Sequence, residues 1–160
     1  MSASEARDEA WRQVSRFAGP LESPGFFFWR DFMRWQRELN ALLKPHGLTQ
    51  PQFAVLACCA WMTREVDAVP QTKLVDALGL DKMHVSQVVG RLEDAGLLQR
   101  LGSEVDLRVK QLSLTAKAKR LLAVCFPIVE SHDASFFAKA ALSAPQAEQI
   151  RANPSQQSSV

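Results

Sequence analysis

Residues 71–100 read QTKLVDALGLDKMHVSQVVGRLEDAGLLQR, and this stretch decides the fold. Leu74, Leu78, Leu80, Val85, Val88, Val89 and Leu92 recur at helical spacing on either side of Gly79, which predicts two short helices packed on each other around a tight turn. Glycine tolerates the left-handed backbone that such a reversal often needs. Asp81 is placed to cap the second helix, predicted from Lys82 to about Ala95, and Gly96 stands where a helix-ending glycine belongs. The free face of that helix is Lys82, Met83, His84, Ser86, Gln87, Gly90 and Arg91. It holds no acid before Glu93, and most of its side chains are short enough to approach base edges in a major groove. The plainer alternative is a helical hairpin whose polar face meets only water.

Downstream, residues 98–101 and 108–114 read as two short strands around a polar tip at 102–106, forming a hairpin. Thr115 is a cap for a long helix with Leu121, Leu122, Cys125, Ile128 and Val129 on its apolar side, and Pro127 is expected to bend it. Ser143 and Pro145 are expected to open a last short helix that ends before Asn153-Pro154. Upstream, Thr49 and Gln52 form a capping box for a helix carrying Phe53, Leu56, Ala57, Ala60 and Trp61 to about Thr63, with 67–70 as a connection. Residues 25–44 form a long helix, with Phe28, Phe32, Trp35, Leu39 and Leu42 alternating at spacings of four and three. A short amphipathic helix is expected over 4–17, with Trp11, Val14 and Phe17. The fold class is therefore mainly α with a small β-hairpin wing: a winged helix-turn-helix flanked by long helices.

Composition agrees with a globular chain of 160 residues, 47% hydrophobic and 22% charged. Net charge is only +2, but residues 70–120 hold nine Lys or Arg against six Asp or Glu, so the excess lies in the proposed DNA-binding stretch. All thirteen aromatic residues fall at or before Trp61 or at or after Phe126, which sets an aliphatic module inside an aromatic-rich scaffold. The acidic N-terminus MSASEARDEAWRQ has no signal-peptide layout, and no apolar run reaches the ~20 residues of a membrane span, so a cytoplasmic location is expected. Cys58, Cys59 and Cys125 have no zinc-ligand spacing and read as reduced, buried thiols. No metal or cofactor is expected. His46, His84 and His132 lie in separate elements and no phosphate loop appears, so an enzyme is not expected.

Residues 48–120 resemble the MarR family of transcription regulators. The matching pieces are Gly47-Leu48-Thr49, Gln52-Phe53 and Leu56, then Leu74, Leu78-Gly79-Leu80, Val85 and Val89. They continue with Arg91-Leu92-Glu93, Gly96-Leu97, Arg100, Asp106-Leu107-Arg108 and Leu114-Thr115. The resemblance implies that the helix from Lys82 is a recognition helix, with Met83, His84, Ser86 and Gln87 facing bases and Lys82 and Arg91 nearer phosphates. It places Arg108 of the wing in a minor groove, whose negative potential favours arginine, and has Asp106 brace the wing through a nearby arginine, Arg100. Leu107 stands where the family often has a basic residue, and Glu104 adds negative charge to the tip, so the wing's electrostatic grip is expected to be weaker.

The resemblance also implies a homodimer, with residues 1–47 and 116–160 as dimerisation helices around a DNA-binding module at 48–115. Phe26, Phe27, Phe28, Trp29, Phe32, Trp35, Phe136 and Phe137 supply more aromatic area than one small module needs, which supports an interface. Two recognition helices would read half-sites roughly 10 bp apart in a pseudo-palindromic operator. The partners implied are double-stranded DNA, a second copy and a small aromatic effector, for which Trp29, Arg30, His46 and Trp61 are the candidates. The expected function is repression released by that effector. Two alternatives stand beside it: a redox-responsive regulator acting through Cys125, and a winged helix used for protein contacts.

Overall fold

A computed structural model describes residues 2–101 and 111–142. Helix α1 (Ala3–Val14) and helix α2 (Pro24–Leu43) are followed by α3 (Gln50–Met62), strand β1 (Val69–Pro70), α4 (Gln71–Leu78) and α5 (Lys82–Asp94). Strands β2 (Leu98–Leu101) and β3 (Gln111–Leu114) lead into α6 (Ala116–Leu142). Single 3-10 turns at Pro20–Glu22 and Lys44–His46 flank α2. The expected last helix from Ser143 lies outside the described residues, as do Glu104, Asp106, Leu107 and Arg108.

The helices start where their caps dictate. At α3 Thr49 and Gln52 form the expected capping box, in which the Thr49 N–H donates to Gln52 Oε1 at 2.9 Å, and Asn40 Oδ1 of α2 accepts the next amide, Gln50 N–H, at 2.7 Å. At α5 Asp81 Oδ1 accepts the His84 N–H at 2.8 Å. At α6 Thr115 Oγ1 accepts the Ala118 N–H at 3.1 Å. Gly79 and Gly96 end α4 and α5 at φ +61° and +68°, the left-handed region that glycine enters without penalty.

Contact density divides the chain into two compact units, residues 1–37 with 134–160 and Glu38–Asp133. The second unit carries the winged module. Leu56, Leu74, Val85, Val89, Leu92 and Leu112 are completely buried in it, and helices α4 and α5 both pack on α3. Phe53 meets Phe126 edge-on at 5.3 Å beneath the first half of α6. Its sheet is antiparallel in the order β1-β3-β2. The register pairs Leu98 with Leu114 and Arg100 with Leu112, so these four residues share the helix-facing side. The sheet has one strand more than the expected hairpin. Val69–Pro70, read as a connection from sequence, pairs with Leu112 and Gln111.

In the first unit the Trp11 indole N–H donates to the Phe17 carbonyl at 2.7 Å, closing α1 onto the turn that follows it. Asp31 is held by Arg34 at 3.4 Å and Arg30 at 3.8 Å, and Arg34 also lies 4.9 Å over the Phe136 ring. Helix α6 differs from its sequence reading in one respect. By length and composition alone, Ala116–Lys139 could cross a bilayer. Its Ala118, Leu122, Cys125 and Val129 are buried within the folded chain.

Candidate nucleic-acid interface

The placement of α5 follows from its two faces. Val85, Val88, Val89 and Leu92 are buried, and the helix can expose only the residues between them. Lys82, Met83, His84, Gln87 and Arg91 are exposed, Met83 to 72%, while Ser86 and Gly90 are half-buried at the edge of the stripe. An unbranched thioether left in water at the start of a polar helix has no packing role inside the chain. It can lie against a thymine methyl or a sugar in a groove.

The C-terminal end of α5 is fastened at three points. Arg100 Nη2 of β2 reaches Glu93 Oε2 at 2.8 Å, with both side chains part-buried, so the wing strand is tied to the last turn of the helix. Thr115 Oγ1 donates to the Gly96 carbonyl at 2.8 Å. Lys117 Nζ donates to the Ala95 carbonyl at 2.7 Å. The sequence reading assigned Arg100 to Asp106 and had no role for Glu93 or Lys117. Lys117 lies 22 positions from its acceptor, and no local pattern signals such a contact.

The effector candidates fall in different units. Trp29, 56% exposed, and Arg30 belong to the first; Arg30 stacks 5.0 Å over Phe27 and shares Asp31 with Arg34. His46 and Trp61 belong to the second, where His46 is half-buried in the turn after α2. Trp61 is 66% exposed and covered on one face by the Arg64 guanidinium at 3.5 Å.

The thiols sit in surroundings that keep them protonated. Burial pushes Cys125 up from the ordinary range, and Cys125 is wholly enclosed. Burial, with a smaller contribution from neighbouring Cys58, pushes Cys59 up to about 11; burial also raises Cys58. A reactive cysteine needs thiolate and access, and Cys125 has neither, which argues against the redox reading. Among the described residues no three His, Cys, Asp or Glu side chains gather as metal ligands.

Residues 48–110 match the profile of the MarR family. The chain is 38% identical over 126 residues to an HTH-type transcriptional regulator, YdcH, of Bacillus subtilis, covering 79% of this chain and 86% of the relative. Its backbone is similar to that of S. aureus MepR in a DNA complex, with a TM-score of 0.68 at 21% identity over 82% of this chain and 93% of the other. It is also similar to the Mycobacterium tuberculosis MarR family protein Rv2887, solved with p-aminosalicylic acid. There the TM-score is 0.55 at 27% identity, over 81% and 93% of the two chains.

Proposed function

The chain belongs to the MarR family, and from that premise we propose that it is a cytoplasmic, homodimeric repressor that binds a pseudo-palindromic DNA operator and is released by a small aromatic acid. The observation that carries the DNA-binding reading is the exposed, acid-free stripe of α5, held out from the core by four buried aliphatic side chains. Met83, His84, Ser86 and Gln87 read base edges, and Lys82 and Arg91 contact phosphates. Arg108 enters the minor groove beside the recognition helix, and Asp106 with Arg100 braces the wing. The dimer is built from residues 1–47 and 116–160, around the DNA-binding module at 48–115.

Repression is the assignment borne by the name of one relative, the transcriptional repressor Rv2887, 28% identical over 127 residues. The aromatic-acid effector is supported by the p-aminosalicylic acid seated in that protein's structure. In the present chain two guanidiniums, Arg30 and Arg34, share the single carboxylate of Asp31, which leaves an excess of one positive charge, and they stack on the Phe27 and Phe136 rings. That pairing of charge and aromatic surface suits a benzoate-like anion.

Selection of duplexes from a random pool tests the reading directly. The expected result is one enriched pseudo-palindrome with half-site centres about 10 bp apart, released when aromatic acids are added. A pool that remains random after repeated rounds at low salt would remove the DNA-binding assignment.

A further inference from the structure

Lys117 lies at the start of α6, beside the wing, where a lysine in a DNA-binding module is ordinarily counted among the phosphate contacts. Its ammonium is committed elsewhere. Nζ donates to the Ala95 carbonyl at 2.7 Å, and Ala95 is the residue that ends α5. The last carbonyls of a helix lack intrahelical partners and carry the negative end of its dipole, so a cation placed there is favoured. Thr115, two residues earlier, takes the next carbonyl, Gly96 O, at 2.8 Å while its Oγ1 also caps α6. The Thr115 N–H donates to Leu97 O at 3.2 Å. One end of α6 thus holds three successive carbonyls at the end of α5.

We propose that Lys117 is a positioning residue for operator recognition: with Thr115 it latches the C-terminus of α5 to α6 and thereby fixes the angle at which the base-reading side chains are presented. It contributes no phosphate contact of its own. This rests on the DNA-binding reading of α5. The consequence is specific. A phosphate contact, once lost, weakens every duplex alike and lowers the salt slope. Loss of a latch leaves the charges facing DNA unchanged but spreads the recognition helix over several orientations, and only the site that needs one orientation suffers.

The test compares the full-length protein with Lys117→Met, which keeps the apolar stem, and with Lys117→Arg, which keeps a charged donor. Binding is measured at several salt concentrations on the duplex that the wild type enriches from a random pool and on an unrelated duplex of equal length. For Lys117→Met the preference for the enriched duplex should fall by about threefold to tenfold, the worth of one exposed charge-assisted contact. Affinity for the unrelated duplex and the slope of log affinity against log salt should hold, and Lys117→Arg should recover most of the preference. Thr115→Ser, which retains the hydroxyl, should match the wild type, and Thr115→Val should lower the preference as Lys117→Met does; this second pair decides the matter if Lys117→Met is poorly folded. An equal loss on both duplexes with a slope reduced by about one unit makes Lys117 a phosphate contact and overturns the proposal, as does an unchanged preference. Failure of the wild type to enrich any duplex sinks the DNA-binding reading itself, and the latch with it.

Discussion

Gln87 and Lys82 stand on one face of α5 and are both exposed, yet they are assigned different parts of the interface, and free energy separates them. Gln87→Ala removes an amide able to make two hydrogen bonds to adenine, and it should cost roughly 1–3 kcal/mol on the selected site while relaxing preference at one base pair. Lys82→Ala and Arg91→Ala should instead weaken all duplexes nearly evenly and each lower the salt slope by about one. Mobility shifts on matched and mismatched duplexes tell the two classes apart, and a Gln87 variant with undiminished base preference would take that residue out of the readout. A second residue-scale effect is independent of DNA. The Cys59 thiol is pushed from 9.0 to about 11 by burial, so the folded state holds its proton where the unfolded chain gives it up. The resulting stability is intact below pH 9 and is lost as pH rises through 11, a fall of roughly 2–3 kcal/mol by linkage. With no tyrosine in the chain, no phenol titrates in that window. Denaturant melts between pH 8 and 11 should show the decline, and Cys59→Ala should lessen it, leaving the smaller part that the raised Cys58 and Cys125 thiols contribute.

At the scale of elements, the boundaries set by side chains a few positions apart were legible in the sequence. Thr49 with Gln52, Asp81 before Lys82, Thr115 before Ala116, and glycines 79 and 96 all sit at the ends where local hydrogen bonding puts them. Asp81→Ala removes the acceptor of the His84 N–H and should lower stability by about 1 kcal/mol, seen as a reduced midpoint in thermal melts with base preference retained in the folded fraction. Strand β1 was not legible. Two residues, one of them proline, show no alternation, and only the opposite edge of β3 makes them a strand. The partner of Arg100 was equally hidden. The sequence reading named only Asp106, which lies outside the described residues, and missed Glu93 of α5, which lies at 2.8 Å on the helix side to which the register of β2 against β3 turns Arg100. Breaking that pair by Arg100→Ala leaves a part-buried carboxylate without its cation. It should loosen the wing strand more than it destabilises the fold, measured as faster amide exchange in β2 than in α3.

For the whole molecule, much of the aromatic surplus visible in the sequence is left exposed. Phe28 is 72% exposed, Phe137 is 56% exposed, and Phe26, Phe32 and Met33 are each about two-fifths exposed, all on α2 or the end of α6. An isolated soluble chain rarely leaves so many large apolar side chains in water, and a stable dimer needs on the order of 1,200–2,000 Å² of buried surface to cover them. The sequence could show that these residues exceeded the needs of one core, but not which of them a fold would leave uncovered. The proposed dimer therefore has a direct physical test. Light scattering should give twice the chain mass of 17.8 kDa for the wild type and a single chain mass for Phe28→Asp combined with Phe137→Asp, because two carboxylates placed in an apolar seam cannot be desolvated cheaply. DNA binding should change with it in a defined way. Each module keeps its recognition helix, so binding to a single half-site survives, whereas the selected palindrome loses the second, effectively intramolecular contact and its affinity falls by about 10²–10⁴. A wild-type protein that scatters as a single chain, or a double variant that remains a dimer and holds the palindrome undiminished, would move the interface off these side chains.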